Sequence, residues 1–180
     1  MLWVTMAFAG TIGIGRAFDR ERENDTMRAL LLAPVPRLSV FMGKAMAITV
    51  LVLSVAVIVV PLIALFFNVP MFDEAGLLIL VVVLGAVGIA VTGSVFAATL
   101  LKVRSRDVLL PVILYPLLVP LFVSGTETTS ALLESTTNFQ GVIVPAPNYE
   151  AAWYWIQFLG IYDAAFLVLS IWIFESLVIE

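Results

Sequence analysis

The sequence predicts an all-α fold: a polytopic transmembrane helical bundle of about five spans, built as a single domain over residues 1–180. Three observations carry that reading. Hydrophobic residues make up 62% of the chain, charged residues only 12%, and the mean hydropathy is +1.13. The apolar residues fall into runs of membrane length, separated by short polar stretches. All nine lysines and arginines are confined to residues 16–44 and 102–106. A soluble domain cannot hide that much apolar surface, whereas a span needs about 20 consecutive apolar residues.

The first run, Met1 to Gly15, is uncharged but short, and reaches a plausible span at Phe18 if Arg16 snorkels to the interface. It begins abruptly, so an upstream continuation carrying one more span of about 20 apolar residues is expected. The second span is Ala45 to Phe67, with Pro61 near its far end, and an acidic turn follows from Asn68 to Glu74. The third, Ala75 to Leu101, carries Gly85, Gly88 and Gly93, which allow helices to approach closely. The fourth, Val108 to Gly125, contains Pro111, Pro116 and Pro120, so some carbonyls need partners other than the helix's own N–H groups. It reads either as a moving, pathway-lining helix or as a structural kink. Residues 126–152 form the longest polar loop, with Glu127, Glu134 and Glu150. Trp153, Tyr154 and Trp155 mark re-entry at an aromatic belt, and the last span ends near Phe174.

Charge sets the topology. The two basic segments lie two spans apart, hence on one side, and the opposite loops hold no lysine or arginine. The positive-inside rule puts the basic loops in the cytoplasm, the loop 126–152 in the periplasm and the C-terminus in the cytoplasm. A multi-pass membrane location is expected.

Between the first two spans, residues 19–37 form a polar segment with the string Arg20-Glu21-Arg22-Glu23. Asn24 or Asp25 can cap a short helix that Pro34 must end. Met27, Leu30 and Leu31 share one face of it at i, i+3, i+4 spacing. One reading lays this helix on the lipid surface. The other docks it on a soluble partner, and the nearly neutral Arg-Glu alternation suits a charged protein surface better than anionic lipid.

Several chemistries are excluded. Without cysteine or histidine the chain has no thiolate site and lacks the commonest metal ligand and general base. Gly43-Lys44 is not a P-loop, because Leu38 stands where the first glycine belongs and Ala45 follows the lysine. No basic patch is large enough for nucleic acid. No enzyme is expected and no cofactor is bound directly; if the protein does energy-driven work, the nucleotide is bound by another subunit. Asp163, mid-way along the last span, is the one acid inside an apolar run. It is expected to face other helices, either gating passage or holding helices together. Tyr162 beside it is expected to point elsewhere on the helix.

The run Arg20 to Thr26, followed by Leu30-Leu31-Leu32-Ala33-Pro34-Val35 and Gly43-Lys44, resembles the coupling segment of ABC-2 type exporter permeases. With the proline-rich Arg104 to Pro120, Asp163 to Phe166 and the ending Phe174-Glu175 through Val178-Ile179-Glu180, the chain is most similar to the cytochrome c maturation protein B family, the haem-exporter permeases. The resemblance implies a six-span permease, of which this chain lacks the first span and the amphipathic helix before it. It implies a separate ABC ATPase subunit, a haem-handling membrane protein C and a periplasmic haem chaperone as partners, with haem as substrate or with ATP-driven release of the loaded chaperone. The alternatives are an ABC-2 permease for a lipid, glycan or drug, and a membrane scaffold without transport.

Overall fold

The computed structural model describes residues 1–23, 37–67, 69, 71, 73–100, 106–137 and 143–176. Five helices dominate it: α1 (Leu2–Glu23), α2 (Arg37–Phe67), α3 (Ala75–Thr99), α4 (Arg106–Leu132) and α5 (Tyr149–Ser176). Between α4 and α5 lies an antiparallel pair of three-residue strands, β1 (Ser135–Thr137) and β2 (Ile143–Pro145), registered Ser135 to Pro145 and Thr137 to Ile143. Helices α2 to α5 are each long and apolar enough to cross a membrane. The 31 residues of α2 extend about 46 Å, well beyond a hydrocarbon core of about 30 Å.

Helix α3 is the centre, packed against all four of the others. Over half of its span is buried, against a third or less of every other span. A helix that is apolar on every side and rich in small residues suits that position, because its backbone can be approached all round. Gly85, Gly88 and Gly93 do this work: a Cβ added at any of them would overlap Trp3, Asp163 with Leu121, or Ile14 respectively.

Helix α1 packs alongside α3. Its buried residues Trp3, Met6, Gly10, Gly13 and Ile14 recur every three or four positions and form one stripe, while Val4, Phe8 and Ile12 are exposed. Trp3 meets Gly85, Ile89 of α3 fills the notch at Gly10, and Ile14 meets Gly93. Residue numbers rise together along both helices, so they run parallel; among the described residues four helices meet the length and apolarity of a span, and α1, the first of the five spans expected, is not one of them.

Two connections differ from the sequence reading, each through the helix ends on both sides of it. The charged string through Glu23 continues α1 as helix, and α2 begins at Arg37. Arginine and glutamate are good helix formers, so their charge alone does not end a helix. Helix α4 runs on to Leu132 and α5 starts at Tyr149, which shortens the stretch 126–152 read as loop. The polar residues there bond within the helix: Thr126 to the Phe122 carbonyl (2.7 Å), Thr128 to Ser124 (2.7 Å) and Thr129 to Gly125 (2.8 Å). Hydroxyls satisfied one turn back need no loop.

Asn148 closes this end of the bundle. Its side-chain oxygen accepts the Ala151 N–H at 3.1 Å and so caps α5. Its own N–H donates to the Ala131 carbonyl at 2.8 Å, and the Ala146 N–H donates to Glu134 at 2.8 Å. The Tyr149 hydroxyl donates to the Glu74 carboxylate at the start of α3.

Candidate functional site

The inward face of α5 is written in its spacing. Ala152, Ile156, Leu159, Asp163 and Ser170 are buried, at intervals of a turn or two turns. The same periodicity that buries the aliphatic residues therefore carries a carboxyl group into the bundle. Asp163 is 4% exposed, and its side chain lies against Gly88 of α3, which Leu121 of α4 also approaches. Glycine at position 88 is what leaves room for it.

Neither carboxyl oxygen of Asp163 has a hydrogen-bond partner among the described residues. An acid at the centre of a membrane helix costs about 2.5–3.5 kcal/mol to insert when nothing compensates it. Such a group responds strongly to whatever brings it a donor, a cation or water.

One helical turn away lies a second polar contact that the sequence reading missed. Tyr162 does not point away; it reaches α3 and α4 beside Asp163. Its hydroxyl donates to the Leu117 carbonyl at 3.1 Å and lies 3.4 Å from the Thr92 hydroxyl. With the phenolic hydrogen used on Leu117, Thr92 is the donor of the second bond. Thr92 and Gly88 are one turn apart on α3, and Leu117 and Leu121 one turn apart on α4. Tyr162 and Asp163 thus occupy successive layers of the same three-helix seam. Phe166 packs on the Tyr162 ring at 4.6 Å between centroids. The available signal was the hydroxyl of Thr92 in a mostly apolar span, since hydroxyls inside spans often bond across helices.

The proline-rich helix contributes to this seam. Hydroxyl donors land on carbonyls that follow its second proline: Tyr162 on Leu117, and Ser124 on Pro120 (2.9 Å) and Leu121 (3.0 Å). Nearer the hairpin end, Trp3 of α1 wedges between Gly85 and Gly125, and its indole N–H donates to Thr129 at 3.1 Å. That bond fixes the edge of a side chain on which three helices converge.

The residues expected to couple to a soluble partner lie elsewhere. Arg20, Glu21, Arg22 and Glu23 form the last turn of α1, at the opposite end from the hairpin. Met27, Leu30 and Leu31, with the helix expected between Asp25 and Pro34, lie outside the described residues. Asp163 lies at the level of Gly88 and Ile89, and Ile89 meets Gly10, so about half the length of α1 separates it from the coupling string. The two are connected through α1, which runs unbroken from that string to Trp3, and through α3, against which both α1 and Asp163 pack.

Comparison with known proteins gives two positive findings. A family model described as "CcmB protein" matches residues 1–146. A curated relative, Heme exporter protein B of Rhodobacter capsulatus, is 28% identical over 131 residues, which cover 71% of this chain and 58% of the relative. The chain thus spans less than two thirds of the length of the curated relative it matches. No solved structure matches it.

Proposed function

We propose a haem-export role on one premise: the chain belongs to the CcmB protein family. The match over residues 1–146 carries the reading, and the relative's description as a heme exporter protein supports it. On this reading the chain is the membrane permease part of an ABC transporter that serves c-type cytochrome maturation. It acts by exporting haem or by driving release of a loaded haem chaperone. A separate ATPase subunit hydrolyses the nucleotide. A haem-handling membrane protein and a periplasmic chaperone complete the assembly in the bacterial inner membrane, with the basic ends of the helices and the C-terminus in the cytoplasm.

The packing of α1 on α3 supports a route for that work. A push on the charged end of α1 travels along one continuous helix. Ile14 at Gly93, Ile89 at Gly10 and Trp3 at Gly85 interlock α1 with α3, so α1 cannot slide without moving the central helix. Displacing α3 moves Gly88 and Thr92 against Asp163 and Tyr162. The binding energy of nucleotide on another subunit would in this way reach a carboxyl group in mid-membrane.

The test is deletion of the gene followed by complementation with the protein. Haem-stained gels should show holo-cytochromes c lost on deletion and restored on complementation, with apo-cytochrome export unchanged. Normal holo-cytochrome in the deletion strain, accompanied by altered export of a lipid or drug, would overturn the proposal. Within the complex, replacing Leu30 and Leu31 by Asp should abolish co-purification of the ATPase while leaving membrane insertion intact.

A further inference from the structure

Between the second half of α1 and the first half of α2 lies an open cleft of about 730 Å³, within the size range of small-molecule sites. Its floor is apolar, with Ile48 fully buried and Leu51 and Ala17 beside it. Its mouth is polar: Arg16 from α1, and Lys44 and Ser39 from α2, stand at the same end. The width comes from Gly43, since no described residue lies within 4 Å of the place where its Cβ would be. Arg16 closes the uncharged run of the first helix and Lys44 precedes the uncharged run of the second. The two cations therefore stand at headgroup depth, as residues flanking apolar spans do.

The cleft opens sideways rather than toward the core. Gly43 and Ala47 are exposed, and the same face of α2 continues through Val50 (64% exposed) and Val57 (71% exposed). These positions recur at three- or four-residue steps and their multiples, so they form one apolar track leading from the cleft into the hydrocarbon. A polar, cationic pocket at the end of a lipid-facing track fits one kind of molecule.

We propose that this cleft binds an anionic phospholipid of the leaflet at the basic end. Its phosphate is held by Arg16 and Lys44 with the Ser39 hydroxyl, and an acyl chain lies along the Val50–Val57 face of α2. Basic pockets between membrane helices are known to recognise such headgroups, and each cation near the surface contributes about 1 kcal/mol. The site stands apart from the Asp163 seam and does not depend on haem being the cargo.

The experiment measures lipid retained by the full chain purified in mild detergent from a membrane containing phosphatidylglycerol and phosphatidylcholine, with retained lipid quantified by mass spectrometry. The wild type should retain phosphatidylglycerol in preference to phosphatidylcholine. Arg16→Gln and Lys44→Gln should each lower that retention about fivefold. Gly43→Leu is the sharper variant, because it fills the cleft and leaves every charge in place. It should lower retention as much as losing a cation does. Ala47→Leu closes the cleft from its exposed side and carries the same expectation if Gly43→Leu loses its helical circular-dichroism signal. Wild-type retention in a folded cleft-filling variant would show diffuse attraction without a site and would overturn the proposal. So would equal retention of the two lipids, or retention of a porphyrin dicarboxylate in place of any phospholipid.

Discussion

Helices α2 and α3 are both long, apolar and able to span a membrane, and α2 is the more apolar of the two. Yet α3 is the most buried helix of the bundle and α2 the least. The difference lies in side-chain size. From Ala45 to Phe67, α2 has no glycine and is dominated by valine, leucine and isoleucine. Helix α3 has glycine at 85, 88 and 93, alanine at 86, 90 and 97, and the small hydroxyls of Thr92 and Ser94. In lipid, a large aliphatic side chain gains little by leaving the acyl chains for a protein neighbour, whereas a small residue lets two backbones come within packing distance. Apolarity puts a helix in the membrane; smallness puts it in the middle of the protein.

The contrast can be broken most forcefully by exchanging sizes. Gly85→Leu or Gly93→Leu drives a side chain into Trp3 or Ile14 and should destabilise the bundle by about 3 kcal/mol or more. Val57→Leu on the exposed face of α2 should change stability by less than about 0.5 kcal/mol. Thermal unfolding in detergent, read by tryptophan fluorescence, checks both. Equal losses at the two sites would mean that α2 is as tightly covered as α3.

Next comes polarity within the small-residue seam. Asp163→Leu removes a buried group whose oxygens have no partner among the described residues, so it should stabilise the bundle by about 1–3 kcal/mol. Asp163→Asn keeps the shape and removes only the charge or proton. If the acid serves the transport cycle, both variants should assemble normally and yield less holo-cytochrome c. Normal yield from Asp163→Asn would remove the acid from the mechanism, and lower stability in Asp163→Leu would assign it a structural bond.

Smaller effects grade the seam by layer. Trp3→Phe deletes the indole bond to Thr129 and part of a ring held between two glycines, and should lower stability by about 1–2 kcal/mol. Tyr162→Phe removes a bond to a backbone carbonyl, and interhelical bonds of that kind average about 0.6 kcal/mol. Chemical denaturation in mixed micelles resolves the two; a larger loss at Tyr162 than at Trp3 would invert the order proposed for them.

The two regions also show what was legible beforehand. The spans could be read because hydropathy alone decides them. The central place of α3 was foreshadowed by its glycines, but not the matching of Trp3, Ile14 and Ile89 to Gly85, Gly93 and Gly10. Those pairings depend on how two helices are rotated about their axes, and no single segment encodes that. The extension of α4 from Gly125 to Leu132 was hidden because threonine is ambiguous between loop and helix until its hydroxyl partner is known. Tyr162 was misjudged for a related reason: helical geometry places it about 100° from Asp163, but a seam formed by two neighbouring helices is wide enough to hold both. The coupling face of Met27, Leu30 and Leu31 lies outside the described residues, and its role rests on the proposed function.

The bonds at Asn148 have a mechanical meaning. The Asn148 N–H holds Ala131, the Ala146 N–H holds Glu134, the strands pair beyond them, and Tyr149 reaches Glu74, so α4 and α5 are riveted at one end. Two rods riveted at one end move like tongs, with little travel at the rivet and increasing travel along the arms. Asp163 sits about 21 Å along α5 from Tyr149, at about 1.5 Å per residue. A tilt of about 5° at the rivet would shift it about 2 Å on that lever arm. The hairpin end would stay shut while the jaws open toward the basic face.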